Sequence, residues 1–160
     1  MTSRVVTLSD LVAMRRGWRE AGQRLVLTNG TFDLLHIGHV RYLQAARDAG
    51  DVLVVGVNSD ASVRGYKEPG RPVVPQEERA EIVAALRCVD YAVIFEESTA
   101  TPLVEALQPD VYIKGGDYAP GGKPLPEAEA VAAYGGEVRI IPLVAGHSAS
   151  ELIQRVMRNA

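Results

Sequence analysis

Short apolar runs rich in Val and Ile alternate with helical patterns along the whole chain, and this alternation restricts the fold more than any other feature. The runs are LVLTNG at 25–30, VLVVGVNS at 52–59, YAVIFE at 91–96, VYIKG at 111–115 and EVRIIP at 137–142. Each has strand length and is almost unbroken in apolar residues, the pattern of strands covered on both faces. Between and after them stand HVRYLQAARDAG, PQEERAEIVAALRCV, TPLVEALQ, EAEAVAAYGG and SASELIQRVM, which repeat at helical spacing. Strand–helix alternation at this interval generates right-handed crossovers and a parallel sheet with helices on both faces. The expected fold is therefore α/β, a single Rossmann-like doubly wound domain with a five-stranded, mainly parallel sheet. Residues 9–22 read as one more amphipathic helix before the first strand, with Ser9 as its N-cap. This divides the chain into an N-terminal helical extension over 1–24 and the main domain over 25–160. In the helix at 75–89, Pro75 stands at the start, acids fill the first turn and Arg87 falls in the last, as the helix dipole favours. Gly50 and Gly135 stand where helix C-termini are expected.

Composition narrows the function. With 160 residues, 47% hydrophobic and 23% charged, the chain can form one core without disulfide or metal staples. A net charge of −3 argues against general binding to nucleic acid or to an anionic membrane. The single cysteine, Cys88, excludes an internal disulfide and a cysteine metal cluster, and its run AALRCVDYAVIF suits a small core residue. The start, MTSRVVTLSD, has no apolar signal core, and no apolar run is long enough for a membrane span. A cytoplasmic location is expected.

Two segments break the alternation: GYKEPGRPVVP at 65–75 and GGDYAPGGKPLP at 115–126, both dense in Gly and Pro and each with a lysine. In a doubly wound sheet ligands bind beyond the carboxyl ends of the strands, and both loops lie there. The densest chemistry is NGTFDLLHIGH at 29–39, between the first strand and a helix beginning near Gly38. Gly30 and Gly38 permit close approach of backbone to a ligand. His36 and His39 are three residues apart and converge at that helix N-terminus, where free N–H groups and the dipole attract anions. Two imidazoles there can donate hydrogen bonds to phosphate oxygens without permanent charge. No Glu or Cys has ligand spacing to this pair, so no protein-held metal site is expected.

These residues carry a resemblance. GTFDLLHIGH resembles the signature of the cytidylyltransferase-like nucleotidyltransferases, whose HxGH motif meets the phosphates of a bound nucleoside triphosphate. The resemblance continues in register through VNSD at 57–60, KEPGRPV at 67–73, EERAEIVAALRCVD at 77–90, KGGDY at 114–118 and a serine-containing final helix. Within the family the chain is most similar to the adenylyltransferase branch of ADP-heptose synthesis, which typically has TNGxFD, VNSD, RPV and KGGDY. That branch often forms half of a protein that also carries a sugar kinase; no kinase domain fits here, so a separate kinase is expected.

The resemblance implies attack by a sugar 1-phosphate on the α-phosphorus of ATP, with pyrophosphate leaving and Mg2+ accompanying ATP. It implies that His36, His39 and Lys67 are catalytic. It implies nucleotide contacts from Asn29, Gly30, Thr31, Phe32, Asp33 and Gly38, from Lys114, Gly115, Gly116 and Asp117, and from Ser148 and Ser150. Asp33 would orient a histidine or help hold Mg2+, or else cap the turn. Arg71 and Arg79 are candidates for substrate or phosphate contact, with a solvated helix arginine the alternative for Arg79. Related cytidylyltransferases carry a segment like RTEGISTT before the last helix; here LVAGHSAS at 143–150 keeps Ser148 and Ser150 but lacks the arginine. That loss argues against a glycerol-phosphate cytidylyltransferase, the nearest enzyme alternative. Ser148 is also a natural N-cap, and His147 reads as an exposed loop histidine, with phosphate contact the alternative. Residues 87–90 resemble a segment near the dimer interface of relatives, so a homodimer is expected. A non-catalytic nucleotide-binding regulator is the alternative of another class.

Overall fold

The structure, a computed structural model, describes residues 4–159; residues 1–3, part of the start read for a signal, and residue 160 lie outside the described residues. The elements run α1 (Leu8–Glu20), β1 (Leu25–Gly30), α2 (Ile37–Arg47), β2 (Val52–Asn58), α3 (Asp60–Arg64), α4 (Gln76–Ala84), β3 (Tyr91–Phe95), α5 (Thr101–Leu107), β4 (Val111–Gly115), α6 (Glu127–Ala133), β5 (Glu137–Ile141) and α7 (Ala149–Asn159). The five strands form one sheet in the order β3-β2-β1-β4-β5, and every pairing is parallel. The five apolar runs thus each became a strand, and the doubly wound α/β architecture is as expected.

Because side chains alternate across a strand, each run feeds both faces of the sheet. Leu25, Leu27, Val52, Val54, Val93, Phe95 and Tyr112 pack on one side with Leu11, Leu103, Leu107 and Val131, from α1, α5 and α6. Val26, Leu53, Val55, Val57, Val111 and Ile113 pack on the other with Leu43, Ala46, Ala80 and Val83, from α2 and α4. The N-terminal segment is stitched to the same body. The Val6 N–H donates to Ala92 O and the Ala92 N–H to Arg4 O, a parallel bridge along the outer edge of β3. Arg15, buried on α1, donates to the carbonyls of Leu107 and Gln108 and pairs with Asp110 at 3.1 Å.

Local chemistry corrects several sequence expectations. The N-cap of α1 is Thr7, not Ser9: Thr7 and Asp10 form a reciprocal capping box, which satisfies two backbone donors where Ser9 would satisfy one. Helix α4 ends at Ala84, so Arg87 is not in its last turn, although Glu77 and Glu78 do fill its first. The C-cap of α2 is Asp48. Gly50 instead admits a close crossing, since a methyl group there would lie 2.7 Å from Val26 and 2.8 Å from the Arg24 carbonyl. Gly135 does follow its helix with a positive φ of 80°. The short helix α3, capped by Ser59, was not foreseen because five residues are too few to show periodicity.

The order of strands places the site. From β1 the chain moves outward through β2 to β3, then returns to the opposite side of β1 for β4. The carboxyl ends of β1 and β4, Gly30 and Gly115, therefore flank the point where the winding reverses, which is where sheets of this kind bind their ligands.

Candidate active site

His36 is the N-cap of α2: its backbone is extended, and the Gly38 N–H donates to its Nδ1 at 3.1 Å. A ring nitrogen that accepts carries no proton, so the neutral ring holds its proton on Nε2, free to donate elsewhere. The sequence alternatives of capping and anion contact are thus compatible in one ring. His39, one turn on, stacks on His36 with ring centroids 3.9 Å apart and lies 5.4 Å from the Phe32 ring. Its Nδ1 is buried without a hydrogen-bond partner among the described residues. Burial, then the neighbouring His36, pushes His39 down from 6.5 to about 4. Burial, then His147, lowers His36 as well, against an upward pull from Glu151. Lowered in this way, both rings are neutral near pH 7, and each neutral ring keeps one N–H that can donate to an anion. Phe32 takes a positive φ of 50°, which turns the chain sharply after β1 and brings its ring under His39.

Across the switch point, Asn29 Oδ1 accepts from Tyr112 Oη at 2.6 Å and from Lys114 Nζ at 3.2 Å. The Lys114 ammonium lies 4.4 Å from the Tyr118 ring centroid, and burial lowers its pKa against the pull of Glu127 and Asp117. Gly115 and Gly116 pass under Leu143; a methyl group on Gly115 would lie 2.7 Å from its side chain. The Asp117 carboxylate pairs with Lys123 at 2.6 Å, closing the 115–126 loop on itself. Tyr112 was not among the expected residues, since its hydroxyl reaches Asn29 only once β4 lies beside β1.

The 65–75 loop is tied to the β1–α2 turn. Asp33 is buried, and its carboxylate accepts from Arg71 Nε at 2.7 Å and from the N–H groups of Val73 and Val74. Burial raises its pKa, but those N–H donors and Arg71 outweigh it, so the carboxyl sits below the ordinary range. Asp33 makes no hydrogen bond to a histidine among the described residues, and its carboxylate clamps the loop. The hydroxyls of Thr31 and Tyr66 form a second tie. The loop encloses a pocket of about 410 Å3 lined by Arg64, Lys67, Glu68, Gly70 and Arg71 among others. Lys67 is exposed there with no ion pair among the described residues, while Arg71 is spent on Asp33.

Arg79 corrects the sequence reading most sharply. It is not a solvated helix arginine but 1% exposed. Its guanidinium donates to the carbonyls of Val74, Thr31 and Asn58 and pairs with Asp60 at 2.7 Å. Four of its five donor directions end on these groups, so it braces the loop and the two strand ends around the site.

Ser148 caps α7: its Oγ accepts from the Glu151 N–H at 3.1 Å and its carbonyl from the Leu152 N–H. Ser150 lies in the first turn, exposed. His147, distant in sequence and exposed in its loop, stacks toward His36 at 6.4 Å with ring planes 24° apart. Nothing in the sequence pairs these two histidines; the β5–α7 connection does.

The sequence model of the cytidylyltransferase-like family matches residues 27–150. The chain belongs to that family. The match runs from within β1 to the first turn of α7, the stretch that carries both sides of the switch point. The chain is 50% identical over 139 residues to the Bifunctional protein HldE of Syntrophotalea carbinolica, covering 87% of this chain and 28% of that protein. It is 49% identical over 154 residues to the HldE of Geotalea uraniireducens, covering 96% of this chain and 31% of that protein. The chain thus spans about 30% of the length of these curated relatives. Among solved structures it resembles the lipopolysaccharide core biosynthesis protein from Thermoplasma volcanium, with a TM-score of 0.63 and 29% identity over 77% of this chain and 98% of that one. This family member has no helix among its described residues long and apolar enough to cross a membrane.

Proposed function

We propose that this chain is an adenylyltransferase that joins ATP to a sugar 1-phosphate, releasing pyrophosphate and an ADP-sugar. The observation that carries the reading is the pair of neutral stacked imidazoles at the N-terminus of α2, beside the switch point of a cytidylyltransferase-like domain. An oxygen of the sugar phosphate forms a bond to the α-phosphorus, and the bond from that phosphorus to the bridging oxygen of the β-phosphate breaks, its electron pair leaving with pyrophosphate. The nucleophile is already anionic, so positioning and charge stabilisation do the work and no strong base is needed. His36 Nε2–H and His39 are the donors to the reacting and leaving phosphates, Lys67 reaches the distal phosphates from its loop, and the capped start of α7 adds free N–H groups. The switch point between Asn29 and residues 114–117 takes the nucleoside. The transferring unit is the domain that begins at residue 25, with α1 bracing it from the α5 side.

ATP enters as its Mg2+ complex. Asp33, Asp60 and Asp117 are committed to Arg71, Arg79 and Lys123, and the described residues contain no group of three metal-ligating side chains. The phosphates and water then supply most of the oxygen ligands of Mg2+. The acceptor is a heptose 1-phosphate: TNGTFD, VNSD, RPV and KGGDY resemble the heptose branch, and relatives of about 50% identity are named HldE. A sugar kinase activity would supply it. A homodimer belongs to the same reading, through the exposed Arg87 side of residues 87–90, since Val89 is buried in the chain's own core.

Pyrophosphate release, measured across the four nucleoside triphosphates and a panel of sugar 1-phosphates, tests the reading. Turnover only with ATP and a heptose 1-phosphate is expected. Turnover of CTP with glycerol 3-phosphate instead overturns the substrate assignment, and no turnover with any pair overturns the enzyme.

A further inference from the structure

His147 occupies a place that the transfer reaction, as derived above, does not use. Three imidazoles from two elements meet at one spot. His36 stacks on His39 at 3.9 Å with planes 29° apart and toward His147 at 6.4 Å with planes 24° apart. Burial falls along the set: His39 has an atom sealed from solvent, His36 is half-buried and His147 is exposed. Two helix N-termini also converge here, because Ser148, the next residue, caps the eleven-residue α7, while His36 caps the eleven-residue α2. Gly38 lets them approach. A methyl group there would lie 2.8 Å from the His36 ring, displacing it, and would touch His147 Cβ at 3.4 Å.

We propose that His147 is a phosphate-binding residue, which extends the imidazole set to solvent and contacts the pyrophosphate part of the bound triphosphate. Three features point to an anion as the ligand. His39 Nδ1 is a buried polar atom without a partner among the described residues, beside His36, whose Nε2–H is a free donor. The free N–H groups at the starts of α2 and α7 carry partial positive charge on either side of the cluster. Lys67 on the opposing loop has no ion pair among the described residues to draw it elsewhere. The acid whose charge reaches His36, Glu151, lies one turn into α7. An α-phosphate at His36 and His39 must place its two departing phosphates further out, and His147 is the exposed member of the cluster. The inference rests on the nucleotidyl-transfer reading of the site.

Calorimetric titration of the full chain with MgATP, inorganic pyrophosphate and AMP separates the two readings. His147→Ala is expected to weaken MgATP and pyrophosphate about tenfold, the worth of one charge-assisted contact, and to leave AMP unchanged. His147→Lys is expected to recover most of that loss. The side chain is exposed, so the urea midpoint of both variants should match the wild type. Unchanged affinity for pyrophosphate in His147→Ala, an equal loss for AMP, or no recovery with His147→Lys overturns the assignment while the transferase reading stands. Wild-type protein that binds none of the three overturns both.

Discussion

Replacing Arg79 with methionine distinguishes a brace from a ligand contact, and its cost follows from the structure. The side chain is wholly buried, and its four hydrogen bonds join elements far apart in sequence: Val74 in the loop, Thr31 after β1, Asn58 at the end of β2 and Asp60 at the start of α3. Methionine fills much of the volume and donates nothing, so three carbonyls and a carboxylate lose a partner. Removing one member of a buried, hydrogen-bonded ion pair costs ~3–5 kcal/mol. Asp60 keeps 22% of its side chain exposed and regains water, which puts this case at the lower end, about 3 kcal/mol. That is a large part of a domain stability of ~5–15 kcal/mol, yet leaves the variant folded. With a urea dependence of about 2 kcal/mol per molar, the midpoint should fall by roughly 1.5 M, followed by far-ultraviolet circular dichroism. Arg79→Lys should recover little, because an ammonium cannot reproduce the planar fork that reaches all these acceptors. Pyrophosphate release should decline through a raised KM as the loop loosens. An unmoved urea midpoint with a ~100-fold loss of kcat would refute this reasoning and return Arg79 to the substrate.

The remaining expectations are direct. His39→Ala should lower kcat of pyrophosphate release by at least ~100-fold with the fold intact by circular dichroism, and near wild-type turnover would remove it from the chemistry. Folding holds His39 near 4 against 6.5 ordinarily, so the unfolded chain binds the extra proton between those values. Its contribution to stability is complete above about 6.5 and is lost as pH falls toward about 4. Urea midpoints should therefore drop less steeply over that window in His39→Gln than in the wild type; equal slopes would contradict the burial argument. Lys67→Ala should raise the KM for ATP about tenfold while changing stability by less than ~0.5 kcal/mol, since the lysine is exposed and has no ion pair among the described residues. Thr7→Ala removes the capping box of α1 and should cost ~1 kcal/mol in urea unfolding without affecting turnover.

Most of the framework was legible in the sequence because it depends on local patterns. Five unbroken apolar runs specify strands buried on both faces, and the helical stretches between them leave parallel crossovers as the connection. The strand starts matched the structure, and only three ends, at β2, β3 and β5, came one residue early. The glycines and histidines of NGTFDLLHIGH lie within one strand–helix turn, so their convergence needs no distant partner. The roles of Asp33 and Arg79 were not legible. A carboxylate or guanidinium in a motif looks the same in sequence whether it faces a ligand or a buried partner, and Arg71 and Asp60 become those partners only when loop and strand ends assemble. Tyr112 meets Asn29 because β4 returns beside β1, and His147 meets His36 because β5 delivers its connection over the start of α2. Local periodicity is carried by neighbouring residues and survives in the sequence alone. Which polar groups satisfy one another is decided by contacts between distant segments, and those exist only in the folded chain.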